Sequence, residues 1–219
     1  MNISQMLPAQ SFTLPAGIYQ RTPEWYQQRI GKLTASRMRE AMSFLKNGKE
    51  SAERRKLKFD LVAERLTDVI VNHNVTPAML WGIEKEAEAK EAAKKFIGID
   101  IVECGFYDSP DVDLWGASPD GLLGDDGLIE IKAPTTPVFL EWMMANKVPE
   151  EYKPQMTCQL VVTGRRFCKF LAYDPRVAKR PILYKHYAPS QAERDAVKQA
   201  AVLFLAEVDE LFERVSTRN

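Results

Sequence analysis

Apolar positions recur at helical spacing near the two ends of the chain and at strand spacing in its middle. Over 51–71, Leu57, Leu61, Val62, Leu66, Val69 and Ile70 fall at helical intervals behind Ser51, a good N-cap, which predicts an amphipathic helix. A second helix is punctuated at both ends: Thr76 caps it, Pro77 sits in its first turn and Gly98 stops it. On that helix Glu86 shares a face with Met79, Gly82, Ile83, Lys90 and Ala93. A third, over 190–214, opens on a Ser190/Glu193 capping box and carries the stripe Ala200, Phe204, Val208, Leu211 and Phe212. Shorter helical runs are expected from Thr22 or Pro23, over 34–44, and over 143–146 and 152–162.

Between these helices the period shortens. Segments 99–107, 112–117, 128–133, 166–173 and 182–187 read as strands, and Gly124-Asp125-Asp126-Gly127 supplies a turn between two of them. The order predicts an α/β fold, a mixed central β-sheet flanked by helices, as one domain over 1–219. Pro8, Pro15 and Pro23 make 1–24 an irregular arm. Trp81 and Trp115 are expected in the core, and His73 and His186 are too far apart in sequence to suggest a catalytic pair.

Charge adds little at the level of the whole chain, because 30 Lys and Arg balance 30 Asp and Glu. A nucleic-acid partner would have to be met by local patches, such as the basic cluster Lys46, Lys49, Arg54, Arg55, Lys56 and Lys58. Cys104, Cys158 and Cys168 are odd in number and lack CxxC spacing, which argues against a disulfide framework and a zinc site and fits a reducing cytoplasm. No export signal and no membrane segment is read.

The chemistry concentrates in Ser118-Pro119-Asp120 and Glu130-Ile131-Lys132. Strand alternation sends Glu130 and Lys132 to one face and Ile129 and Ile131 to the other. If the Gly124–Gly127 turn folds the chain back, Asp120 arrives beside Glu130. Two neighbouring carboxylates repel unless a cation lies between them, and hard oxygen donors suit Mg²⁺ or Mn²⁺ better than zinc. Lys132 would then hold an attacking water or steady charge on a phosphate, with Glu86 a candidate third carboxylate and Gln155 a candidate polar neighbour.

These residues resemble the PD-(D/E)xK nuclease motif. The blocks W-x-x-x-R-x-G-x-x-T-A-S from Trp25 to Ser36, L-W-G-x-x-x-E from Leu80 to Glu86, S-P-D-G from Ser118 to Gly121 and Y-D-P-R from Tyr173 to Arg176 resemble, in one order, the phage lambda exonuclease family. The resemblance implies a restriction-endonuclease-like core and a 5′-to-3′ exonuclease that reduces linear double-stranded DNA to mononucleotides and leaves 3′ overhangs for annealing-type recombination. It implies metal ligation by Asp120, Glu130 and the Ile131 carbonyl, Lys132 as catalytic lysine, and Glu86 supporting a second Mg²⁺. Arg29, Ser36 and Ser118 match the family's 5′-phosphate pocket, and Met79 stands where the family places an apolar wedge. A homotrimeric ring, a single-strand annealing protein as partner, and a phage or prophage origin with action in the bacterial cytoplasm are implied likewise. The competing readings are an endonuclease of the same superfamily, which would cut closed circles, and a non-catalytic DNA-binding recombination scaffold.

Overall fold

A computed structural model describes residues 19–71 and 76–217, so the first 18 residues of the expected arm, and His73, lie outside the described residues. Thr22 caps α1 (Pro23–Gln27), its hydroxyl accepting from the Trp25 N–H. The strand β1 (Leu33–Thr34) passes through a 3-10 turn at Ala35–Arg37 into one helical turn, α2 (Met38–Ala41). The continuous helix expected over 34–44 does not form, because the chain folds straight back, with Phe44 bridged to Glu50 and the Ser51 N–H donating to Ser43.

Ser51 caps α3 (Ala52–Thr67) as its sequence suggests, and Leu57 and Leu61 are fully buried. This helix stops short of residue 71. Asp68 turns left-handed, and the buried Glu64 carboxylate accepts from the N–H groups of Val71 and Gly31, leaving Leu66 and Val69 on the surface. Gly31 has φ of 67°, and a Cβ there would fall 2.5 Å from the Arg65 Cγ, so this clamp requires glycine.

Thr76 and Gly98 bracket α4 (Pro77–Ile97) as expected, yet only Ala89 and Ala93 of it are buried. Trp81 is therefore half-buried on the flank of the molecule, a correction to its expected core position; Trp115 is fully buried. The segment expected as a strand over 99–107 forms a lone bridge from Val102 to Leu122 and then β2 (Tyr107–Asp108). It crosses from one sheet to another, so it cannot hold one continuous ladder. β2 and β1 flank β3 (Trp115–Ala117) in a small sheet ordered β1-β3-β2.

The main sheet runs β4-β5-β6-β7, from β4 (Gly121–Leu123) and β5 (Gly127–Lys132) to β6 (Phe167–Tyr173) and β7 (Ile182–Tyr187). The turn at 124–127 makes β4 and β5 an antiparallel hairpin. The parallel β5–β6 pair needs a crossover, supplied by α5 (Thr136–Ala145) and α6 (Lys153–Thr163). α5 is longer than the helix expected over 143–146, because Pro137 occupies its first turn and Phe139 and Trp142 enter the core. The capping box at Ser190 opens α7 (Gln191–Ser216), which packs on α3 and α6.

β5 alternates as expected: Ile129 and Ile131 join a cluster with Ala89 and Ala93 of α4, while Leu128 packs with Phe139, Met156 and Leu160 on the α5–α6 side. Both faces of this strand are thus covered. Glu130, on the α6 side, is only 1% exposed.

Candidate active site

The hairpin delivers Asp120 and Glu130 to one end of the sheet. Asp120 precedes β4, and its Oδ2 accepts the Ile131 N–H at 2.7 Å, so its position is fixed by the backbone of the strand that carries Glu130. Gly121 permits this approach, since a Cβ there would fall 2.2 Å from the Ile101 Cγ2. Glu130 is held from three sides. Gln155 Nε2 donates to its Oε1 at 2.6 Å, Gln159 Nε2 to its Oε2 at 2.6 Å, and Lys132 Nζ lies 2.5 Å from Oε1. Gln155 and Gln159 are one turn apart on α6, so one helix face provides both amides.

Burial, and then the charge of Glu130, push the Asp120 carboxyl up to about 7, against the opposing pull of Lys132 and the Ile131 N–H. Burial works against the Lys132 charge, but Glu130 and Asp120 outweigh it and its pKa is raised. Lys132 is therefore an ammonium donor at neutral pH and not a base.

A cavity of about 550 Å³ opens over this group, with Asp120, Ile131 and Lys132 on its floor and Met79, Gly82, Ile83 and Glu86 of α4 along one wall. Glu86 lines the cavity, but its carboxylate pairs with Arg21 and with Lys90. Among the described residues no group of three His, Cys, Asp or Glu side chains is arranged to hold a metal. Met79 is 51% exposed at the rim.

Two residues before Asp120, the Ser118 Oγ accepts from Trp25 Nε1 at 2.9 Å and from Arg29 Nη1 at 3.4 Å. The Arg29 guanidinium lies 4.1 Å over the Trp25 ring, and burial lowers its pKa to about 10, partly offset by Tyr26 and Glu64. A charged, half-desolvated guanidinium beside a hydroxyl suits a phosphate. Ser36 is exposed and hydrogen-bonds with the Thr34 hydroxyl.

Two members of the basic cluster, Arg54 and Lys58, are turned inward, while Lys46, Lys49, Arg55 and Lys56 stay exposed. Arg54, 3% exposed, forms a two-pronged pair with Glu207; Lys58 pairs with Glu50 and Glu207; and Lys56 pairs with Asp60. These cations tie α3 to α7 and to its own neighbours. All three cysteines are buried and free.

The family model described as the YqaJ-like viral recombinase domain matches residues 24–166, a span containing every residue of the acid–lysine group and of the Arg29–Ser118 contact. The chain belongs to this family. The resemblance to the lambda exonuclease family and the α/β nuclease fold expected from the sequence are both borne out. The YqaJ-like chain is similar to LHK-Exo, an alkaline exonuclease from Laribacter hongkongensis also solved in complex with dAMP. They share 34% identity over 89% of this chain and 96% of that one, with a TM-score of 0.82. A phage-related exonuclease from Haemophilus somnus 129PT, 13% identical over 84% of this chain and 96% of that one, shares the fold with a TM-score of 0.61. A search of curated protein sequences gave no match. Membership places the YqaJ-like chain among nucleases of recombination.

Reading the sequence missed Gln159 and Trp25. A polar residue within the apolar run from Met156 to Val162, one turn after Gln155, is the signal that Gln159 faces something charged. Trp25 heads the W-x-x-x-R block and stands one turn before Arg29, but its bond to Ser118 joins residues 93 apart and was not legible.

Proposed function

We propose that the YqaJ-like chain is a Mg²⁺-dependent exonuclease that digests linear duplex DNA from 5′-phosphorylated ends to mononucleotides and leaves 3′ single-stranded overhangs. The observation that carries this reading is the half-buried Asp120 beside a protonated Lys132 on the floor of a cavity, with the buried Glu130 held against that lysine just beneath, one loop from the Arg29–Ser118 contact. The dAMP bound by LHK-Exo supports a mononucleotide product.

The donor set fits a hard divalent cation: two neighbouring carboxylates, one of them pushed up to about 7 by burial and by the charge of the other, and oxygen ligands throughout. Asp120, Glu130 and the Ile131 carbonyl would hold Mg²⁺, or Mn²⁺ in its place, and Glu86 would support a second ion on release from Arg21. When bound, the metal supplies Lewis-acid polarisation of the phosphodiester and a more acidic water. Gln155 and Gln159 keep both Glu130 oxygens oriented, the Ile131 N–H does the same for Asp120, and Lys132 offers its N–H bonds to the attacked phosphate. Family likeness further supports a homotrimer, with a single-strand annealing protein as partner in the bacterial cytoplasm.

The test compares 5′-phosphorylated linear duplex with covalently closed circles, with and without Mg²⁺. Linear DNA should be consumed only with the metal and circles spared; cleavage of circles would make the chain an endonuclease, and no cleavage a binding scaffold.

Two smaller effects follow from the site. Arg29→Ala should raise KM for 5′-phosphorylated ends by about tenfold, in line with loss of a charge-assisted hydrogen bond, while 5′-hydroxyl ends change little. Equal loss on both ends would remove Arg29 from phosphate recognition. Gln159→Met keeps the volume and removes the donor to Glu130, and should weaken Mg²⁺ affinity, read by calorimetry, by about tenfold or more. An unchanged affinity would show that Gln155 alone orients the carboxylate.

A further inference from the structure

The Y-D-P-R segment takes no part in the acid pair, yet it is among the most densely bonded turns of the chain. Asp174 is fully buried, and its carboxylate accepts from Thr136 Oγ1 at 2.5 Å and from Arg176 through N at 3.0 Å, Nε at 2.8 Å and Nη2 at 3.1 Å. Held this way, the Arg176 guanidinium lies 3.9 Å over the Trp81 ring of α4. From the other end of the segment, Tyr173 Oη donates to Glu88 Oε1 at 2.8 Å, also on α4. Trp81 and Glu88 are seven residues, two turns, apart and so lie along one face of that helix.

These contacts matter because, beside the Arg21–Glu86 pair, α4 has little else to hold its first half. Its buried residues begin at Ala89, whereas Met79, Gly82, Ile83 and Glu86, which line the cavity, all precede it. A helix stretch without buried side chains has low resistance to local opening unless other contacts hold it. The second anchor of Asp174, Thr136, opens α5 four residues after Lys132. One buried carboxylate is thus bonded both to the chain leaving the lysine and, through Arg176, to the helix facing it.

We propose that the Tyr173–Arg176 turn is a positioning latch that sets the α4 wall against the Lys132 end of β5 and so fixes the width of the mouth through which the substrate end enters. This rests on the exonuclease reading for the identity of the substrate, and on the contacts alone for the latch. The indole Nε1 of Trp81 is buried without a hydrogen-bond partner among the described residues, so the ring contributes its face and not its N–H. Phenylalanine should therefore replace it and leucine should not. Arg176 requires both its fork and its plane, one for Asp174 and one for Trp81, so lysine should not replace it.

The test uses Arg176→Gln, Arg176→Lys, Trp81→Phe, Trp81→Leu and the Arg176→Gln/Trp81→Leu double variant of the full chain. Arg176→Gln removes the charged partner of the fully buried Asp174 carboxylate, so its Tm should fall, and the kinetic and exchange comparisons are made at a temperature at which every variant is folded. Arg176→Gln, Arg176→Lys and Trp81→Leu should each raise KM for linear duplex ends by about tenfold with kcat within twofold. The double variant should be no worse than either single one, and Trp81→Phe should stay within twofold of wild type. Additive losses, or a Trp81→Phe variant as impaired as Trp81→Leu, would overturn the latch. Hydrogen exchange reads it without substrate: amides over 80–86 should exchange about tenfold faster in Arg176→Gln while those of β5 to β7 do not change. Unchanged exchange there overturns the latch whatever the substrate is. Faster exchange with wild-type KM overturns its link to the mouth, and a wild-type protein inert on linear duplex overturns the exonuclease reading while exchange still decides the latch.

Discussion

Lys132→Ala lowers turnover on linear duplex DNA by on the order of 10²- to 10³-fold, while the affinity for that DNA stays within about twofold. The size follows from what the ammonium does. Its pKa is raised against burial by Glu130 and Asp120, so it enters the reaction charged, and a partly buried charged donor stabilises a developing phosphate charge more than it would in bulk water. Its contribution is made where charge develops, so the loss should fall on kcat and not on KM. Duplex affinity would come from phosphate contacts elsewhere, Arg29 among them. Single-turnover rates and equilibrium binding, measured on the same variant, separate the two quantities. Retained cleavage would remove Lys132 from the mechanism, and parallel loss of binding would make it a substrate anchor.

Asp120→Asn abolishes activity and at the same time stabilises the metal-free protein at alkaline pH. Asp120 in the folded chain is pushed up to about 7, above its value in an unfolded chain, by burial and by Glu130. Its favourable contribution is complete below the unfolded value near 4 and is lost as pH rises through about 7. Above that, the folded state holds a carboxylate it resists ionising. Asparagine can still accept from the Ile131 N–H and carries no charge, so in EDTA its Tm should exceed that of the wild type by about 5 °C or more at pH 8, and by less at pH 5. Saturating Mg²⁺ should close the gap by raising the wild type alone, since a ligand bound only by the folded state stabilises it. Melts at both pH values, with EDTA and with Mg²⁺, check this. A gap independent of pH would mean that Asp120 does not titrate as the burial implies, and a gap independent of Mg²⁺ would argue against cation binding at the pair.

Helix ends were the most legible part of the fold. Thr76 with Gly98, and Ser190 with Glu193, mark where α4 and α7 begin or end because capping is a local matter of hydrogen-bonding backbone groups that the helix leaves unpaired. The far end of α3 was not legible, since it depends on Glu64 reaching Gly31, 33 residues away. The basic cluster shows the same division. As a string of cations it suggests a nucleic-acid surface, but Glu207, from the last helix, lies against Arg54 and Lys58 and takes up their charge within the fold.

The sequence by itself determined the order of the elements, the alternation that separates Glu130 and Lys132 from Ile129 and Ile131, and the turn that returns the chain toward Asp120. Each of these follows from backbone periodicity and turn chemistry within about ten residues. Only the tertiary structure decided that the carboxylate face of β5 lies under α6, that Gln159 shares Glu130 with Gln155, and that Arg176 reaches Trp81. Those contacts join side chains that are distant along the chain, and long-range packing sets burial and with it the ionisation of Asp120 and Lys132.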